Sequence, residues 1–325
     1  MYYALLFIAA IMFSGQFLFT KAFQRYNGDS LKTTLKLIFF AFSTIAVFFF
    51  IKAQIGANGF RFGFSWFTLA MTFGIAVVAT SLAYLSVKVL GVGSMSVYST
   101  FMMVGSLVLP STVGILVYNE TQNLVLKLVA LTVMIVATIL TTGGDGAKSD
   151  KKAIFYYIGV FILNGMIGVL FTIHQNHPDL VAYSEFVDGV KVSNSDVFVC
   201  WNGISTAVLS GVLLLVFNFS KKKAVCDNSA DSSENAKTTE LTMRGSFLPS
   251  LFFAVCYGIF EGLGNYFIAI STIKVGASVT FPIVDGGCIL VSTLLGLLVY
   301  KEKTGWKIWL GCALVLIATV MFAFV

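Results

Sequence analysis

Charge is what this sequence has least of. Only 11% of its 325 residues are Asp, Glu, Lys or Arg, while 58% are hydrophobic. A soluble domain carries about a quarter charged residues. Too little polar surface remains to cover a water-facing globule, and this excludes the ordinary soluble classes.

Histidine is nearly absent. His174 and His177 stand close together beside Pro178, lack a spacing for metal, and are expected in a solvated loop. The chain holds no His-Glu-x-x-His metal motif and no Gly-x-x-x-x-Gly-Lys-Ser/Thr phosphate loop. A metalloenzyme and a pump with its own ATPase are thereby disfavoured, and no cofactor, metal or enzymatic activity is expected. A paired nucleophile and base is not evident either.

Cysteine is sparse and irregularly spaced. Cys200, Cys226, Cys256, Cys288 and Cys312 are odd in number, and all but Cys226 fall inside apolar runs. They read as small core residues rather than a disulfide or zinc framework. No basic stretch or small-x-small cleavage pattern marks a signal peptide, so the run that begins at Met1 reads as a first helix.

What is present is a series of apolar runs of roughly 20 residues, long enough to cross the hydrocarbon core as helices. They do not alternate as barrel strands would. Helices also satisfy every backbone amide in lipid. Ten segments are expected: Tyr2 to Phe23, Leu31 to Lys52, Phe64 to Val87, Gly93 to Tyr118, Asn123 to Thr142, Ala153 to Ile173, Asp196 to Phe219, Phe247 to Ile270, Val275 to Tyr300, and Gly305 to Phe324. A polar break covers Gly143 to Lys152. A mixed loop runs from His174 to Ser195, and a polar loop covers about 220 to 246.

The formal charge of +6 sits mainly at segment ends. It reads as interfacial anchoring and orientation, not nucleic-acid binding. Lys and Arg crowd the loops after odd-numbered segments, roughly 16 against 5 after even-numbered ones, which places both termini outside.

An internal repeat is visible. Gly114-Ile115-Leu116-Val117-Tyr118-Asn119-Glu120 matches Gly296-Leu297-Leu298-Val299-Tyr300-Lys301-Glu302, and the same register sets Tyr84 opposite Tyr266. Val136-Ala137-Thr138 meets Ile317-Ala318-Thr319 after a one-residue gap. Segments three to five therefore resemble segments eight to ten. An offset of five, an odd number, requires two copies of opposite orientation. The expected fold is all-α and membrane-embedded, with ten transmembrane helices as two inverted five-helix repeats, residues 1–145 and 146–325. Inverted repeats are a recurring plan of secondary transporters, with a site near the midplane between the repeats.

With Glu120 and Glu302 at the helix junctions, and Phe13-Ser14-Gly15-Gln16-Phe17 followed by Lys21 in the first segment, the chain resembles the drug/metabolite transporter superfamily in its EamA-like branch. Phe13 stands where that family often has Trp. The resemblance implies ten helices in two inverted repeats, both termini in the cytoplasm, and an integral multi-pass protein of a bacterial cytoplasmic membrane. Its direction for the termini is opposite to that of the charge count.

An ionisable group at the bilayer centre is costly and is a functional candidate by default. Glu261 lies about 21 Å into its segment and Asp285 about 15 Å, at about 1.5 Å per residue. Both are flanked by glycines, as in Gly258-Ile259-Phe260-Glu261-Gly262 and Asp285-Gly286-Gly287. Either acid can bind a cationic or zwitterionic substrate, or take up a proton and couple its flow to transport. Gln16, Asn164, Trp201, Asn202, Tyr98, Tyr257, Asn265 and Tyr266 are weaker candidates for the walls of a pocket. Glu120 and Glu302 read as structural. Lys88 and Lys274 read as snorkelling to the headgroups. The expected partners are a small-molecule substrate and the lipid bilayer, with homodimerisation left open. The expected function is secondary transport of a small polar, cationic or zwitterionic metabolite by alternating access. A channel or a membrane-embedded enzyme is the alternative.

Overall fold

A computed structural model describes residues 1–28, 30–55, 65–92, 95–142, 151–177, 194–227, 247–300 and 305–324. Ten helices are found among them: α1 (Tyr2–Asn27), α2 (Leu31–Ile55), α3 (Trp66–Val92), α4 (Met95–Val117), α5 (Leu124–Thr142), α6 (Lys151–Gln175), α7 (Asn194–Asp227), α8 (Phe247–Val275), α9 (Ala277–Tyr300) and α10 (Trp306–Ala323). No strand occurs among the described residues. Seven helices, all but α4, α5 and α10, are long and apolar enough to cross a membrane, and those three carry shorter apolar stretches. Large hydrophobic side chains such as Phe155, Leu116 and Phe252 line the outside. A water-soluble protein would not leave such a surface exposed, and a bilayer covers it.

The ends of several segments differ from the sequence reading. The helix α6 continues through Gln175, and α7 continues to Asp227 into the stretch expected to be loop. The rest of that polar stretch, 228–246, lies outside the described residues, as do Pro178 and Glu302.

Each helix is chosen by its apolar length and then placed by close backbone approaches. The helices α2 and α7 cross at Gly203, where an added Cβ would lie 2.6 Å from the Ala46 nitrogen. The helices α4 and α6 cross at Gly105, where a Cβ would meet the Phe161 carbonyl oxygen. Small residues let helix backbones approach in this way, and dispersion between the packed surfaces replaces the hydrophobic effect that lipid does not supply. The Gly258/Gly262 pair is used within the chain, against Ala41, Thr44 and Ile45 of α2. Cys200, Cys288 and Cys312 are buried and free, and Cys256 is half-buried and free.

The main neighbours are α1 with α8 and α9, α2 with α7 and α8, α3 with α6 and α7, α4 with α6 and α9, and α5 with α10. Polar contacts fix which helix ends share a face. On the face that carries Met1, the α4–α5 turn meets the start of α9, and the end of α2 meets the start of α7. On the opposite face, Asn27 at the end of α1 donates to Ser250 near the start of α8 at 2.8 Å.

Candidate functional site

The row of helices α8, α1, α9 and α4 carries both mid-helix acids, Glu261 and Asp285. Glu261 projects from the middle of α8. Asn265, one turn on, donates to Glu261 Oε1 at 3.0 Å, a spacing that a helix supplies automatically. The Gln16 amide of α1 reaches the same carboxylate. Gln16 Oε1 itself is buried with no hydrogen-bond partner.

Asp285 projects from α9 toward α4. Ser106 of α4 is set against its carboxylate, yet the Ser106 hydroxyl also lies 2.9 Å from the Met103 carbonyl. A hydroxyl has one proton, so it serves one of these acceptors at a time. Asp285 Oδ2 is buried and has no partner. One turn after Ser106 stands Pro110, inside α4. Proline has no N–H, so the Ser106 carbonyl lacks its helical donor as well. Cys288 lies within electrostatic reach of both carboxylates, which places Glu261 and Asp285 on either side of one spot on α9. Ser14 of α1 closes the row, donating to Ala10 O at 2.8 Å with Cys288 O at 3.4 Å.

This arrangement has more acceptors than donors. Two carboxylates and a glutamine oxygen share a few amide and hydroxyl donors, and Gln16 Oε1 and Asp285 Oδ2 are left without one. A buried acceptor without a donor costs about 1–3 kcal/mol. A ligand carrying N–H groups or positive charge would supply what is missing.

Most of the other candidates lie apart from one another. Tyr257, one turn before Glu261, is within electrostatic reach of it and packs against both buried clusters beside α8. Asn164 on α6 donates to the Met102 carbonyl at 2.8 Å, one turn from Ser106, so its amide is already engaged in joining α4 and α6. Trp201 and Asn202 stand on α7, whose main neighbours are α2 and α3. Asn202 is buried there and its Oδ1 has no partner. The side chain of Tyr98 lies outside the described residues, as do those of Phe17 and Lys21.

Tyr266 belongs to a different constellation, nearer the face that carries Met1. Lys52 of α2 lies over its ring, 3.9 Å from the centroid, and forms an ion pair with Asp196 at the start of α7. Phe49 packs on the same tyrosine, with centroids 5.6 Å apart. In the sequence Lys52 and Asp196 stand only as the ends of two segments, with no role assigned to either.

His174 corrects the reading as a solvated loop residue. It lies in α6, is fully buried, and stacks on Phe198 with ring centroids 4.0 Å apart. Gln175 donates to its Nδ1 at 3.1 Å, so Nε2 carries the proton and donates to Thr68 Oγ1 at 2.9 Å. His177 is half-buried and packs on Phe67. Among the described residues no three His, Cys, Asp or Glu side chains gather as metal ligands.

Glu120 has the structural role expected of it. Its carboxylate accepts the Ala277 N–H at 2.9 Å and the Ser278 N–H at 2.8 Å, capping α9 from the α4–α5 turn.

No protein-family model matches the chain, and no curated protein matches it in sequence. A solved structure, described only as a crystal structure of a protein, is similar over 99% of this chain and 96% of its own, with a TM-score of 0.67 and 13% identity. At that identity the likeness carries the fold and nothing further.

Proposed function

We propose that this chain is a secondary transporter of the drug/metabolite type. It moves a small cationic or zwitterionic metabolite across a membrane by alternating access of two inverted five-helix repeats. The observation that carries the reading is the α8–α1–α9–α4 row, where Glu261 and Asp285 flank Cys288 and two buried acceptors, Gln16 Oε1 and Asp285 Oδ2, have no donor in the chain.

Helix adjacency supports the repeat. Moving every helix number by five carries α1–α8 onto α6–α3, α4–α6 onto α9–α1, and α3–α7 onto α8–α2, while α2–α7, α4–α9 and α5–α10 map onto themselves. The crossings agree in register too. Gly105 meets Phe161 where α4 crosses α6, and Gly287, offset as Gly296 is from Gly114, meets Ala10 where α9 crosses α1. Pseudo-symmetry of this kind gives two equivalent arrangements of one bundle, which is what alternating access uses.

The face that carries Met1 would be opened by breaking the contacts that join the halves there. The charged ones among the described residues are Lys52 with Asp196 and Glu120 with the start of α9. The Lys52 side chain is 34% exposed and that of Asp196 11%, so water can take the place of either partner at modest cost, a property suited to a reversible closure.

The test compares extracellular metabolites of cells expressing the chain, Glu261→Gln and Asp285→Asn at equal folded amounts. A compound exported or consumed only by the intact chain, with its amine counterflowing across proteoliposomes, is the expected result. Identical profiles for well-folded variants would overturn the assignment of these acids to the transport path.

A further inference from the structure

Three elements meet on the face that carries Met1: the start of α1, the α4–α5 turn, and the joint between α8 and α9. Between them lies a crevice of about 340 Å³, whose lining includes Tyr2, Tyr3, Gln122, Lys127, Lys274 and Val279. This is the lower end of the size range of small-ligand sites. It lies well away from the acids, at the helix ends where headgroups sit.

Lys127 is the unusual member. It is only 5% exposed, and a lysine so buried is ordinarily paired with an acid. Its Nζ donates to the Glu120 main-chain oxygen at 2.7 Å. The Glu120 carboxylate itself is spent on the Ala277 and Ser278 N–H groups. An ammonium has three N–H donors, so one carbonyl leaves most of its capacity unused. Lys274, exposed at the end of α8, brings a second positive charge to the same crevice. Two tyrosines and an amide add neutral donors, and no acidic side chain lines it. The Glu120 carboxylate lies within electrostatic reach of Lys127, but it is outside the lining and its oxygens are taken by the Ala277 and Ser278 N–H groups; two lysines with surplus donors therefore make an anion site, the reverse of the mid-membrane row.

We propose that this crevice binds a phosphate-bearing anion, the headgroup of an acidic phospholipid, between Lys127 and Lys274. Basic pockets between transmembrane helices at headgroup depth bind acidic lipids on the same principle. Since Lys127 also touches the Glu120 main chain, an occupied site fastens α1, α5 and the α8–α9 joint together on this face. The proposal does not depend on what the chain transports.

The experiment follows the melting temperature of the purified full chain in neutral detergent, titrated with phosphatidylglycerol, phosphatidylcholine or inorganic phosphate. Phosphatidylglycerol is expected to stabilise and phosphatidylcholine to do so far less. Lys274→Gln should raise the half-effective phosphatidylglycerol concentration roughly fivefold, the worth of one basic residue at a lipid surface. Lys127→Gln should raise it further. Since Lys127 is buried and that variant can fail to fold, the exposed Lys274 carries the decision. Lys88→Gln, an exposed lysine near the other end of the bundle, should respond as the unaltered chain does. Equal stabilisation by both lipids, or an unchanged response in Lys274→Gln, overturns the proposal. Saturation by inorganic phosphate alone, with nothing added by phosphatidylglycerol, overturns the lipid and assigns the site to a soluble anion.

Discussion

Removing the Glu120 carboxylate should loosen the whole bundle. The α4–α5 turn presents this side chain to the start of α9, where Gly276 breaks the chain from α8 with φ 89°. The first N–H groups of a helix have no partner inside it, and here two of them are served at 2.9 and 2.8 Å. The carboxylate is boxed in: a Cβ on Gly276 would lie 2.7 Å from its Cδ, and one on Gly114 2.8 Å from its Oε2. Hydrogen bonds to a charged group contribute about 1.5–3 kcal/mol each. Water reaching the turn would recover part of two such bonds, which leaves a cost of about 2–4 kcal/mol for Glu120→Ala. For a chain of this size that corresponds to a fall in Tm of roughly 3–6 °C. Glu120→Gln keeps the volume and one acceptor oxygen and should lose about half as much. Intrinsic tryptophan fluorescence of detergent-purified protein reads both. Because the contact joins residues 157 and 158 positions apart, the loss should appear in the cooperative transition rather than as local fraying. A melting temperature within a degree of the unaltered chain would refute the cap as a stabilising contact.

The Lys52–Asp196 pair predicts that Lys52→Asp and Asp196→Lys each lower the Tm, and that the double exchange recovers more than half of the summed loss; purely additive effects in this cycle would show that the two do not interact. At Gly105, where an added Cβ meets a main-chain oxygen of α6, Gly105→Ala should lower the yield of monodisperse protein on gel filtration. Gly305→Ala, with nothing within 4 Å, should not. His174→Ala should cost about 2–4 kcal/mol in melting experiments, from the lost ring packing and the stranded Thr68 hydroxyl. A stability equal to that of the unaltered chain would return His174 to the solvated loop that its neighbours in sequence suggest.

The helices were legible because bilayer thickness sets their length, and length survives without any knowledge of partners. Most of the expected boundaries fall within a few residues of those found. Where they fail, the deciding partner lies far along the chain. His174 ends an apolar run beside a proline, which reads locally as the start of a loop. What keeps it helical and buried is Thr68 on α3 and Phe198 on α7. Lys52 and Asp196 are 144 residues apart, and each alone looks like an interfacial anchor. Glu261 and Asp285 stand out in the sequence because the cost of an acid in lipid is local. Ser106 carried a fainter signal, its position one turn before Pro110, which marks a backbone oxygen without a donor.

The balance of donors and acceptors separates a functional reading of the two acids from a structural one. A buried acid that serves only to hold helices together gains by saturating its oxygens, as Glu120 does with two main-chain N–H groups. Glu261 comes close to that pattern, with Asn265 and Gln16 both turned toward it. Asp285 does not: one oxygen has no donor, and the hydroxyl beside it is shared with the Met103 carbonyl. The two therefore differ in what they predict. Glu261→Gln replaces a carboxylate already bonded by amides and can keep most of the packing, whereas Asp285→Asn gives the unserved oxygen's place to a group that brings its own N–H donors. If the row is built for a ligand that donates, Asp285→Asn should leave the fold as stable as before or more so, while abolishing movement of the substrate. A loss of stability in Asp285→Asn equal to that of Glu120→Ala would mean that this carboxylate is a strut and that the surplus of acceptors is filled from within the chain.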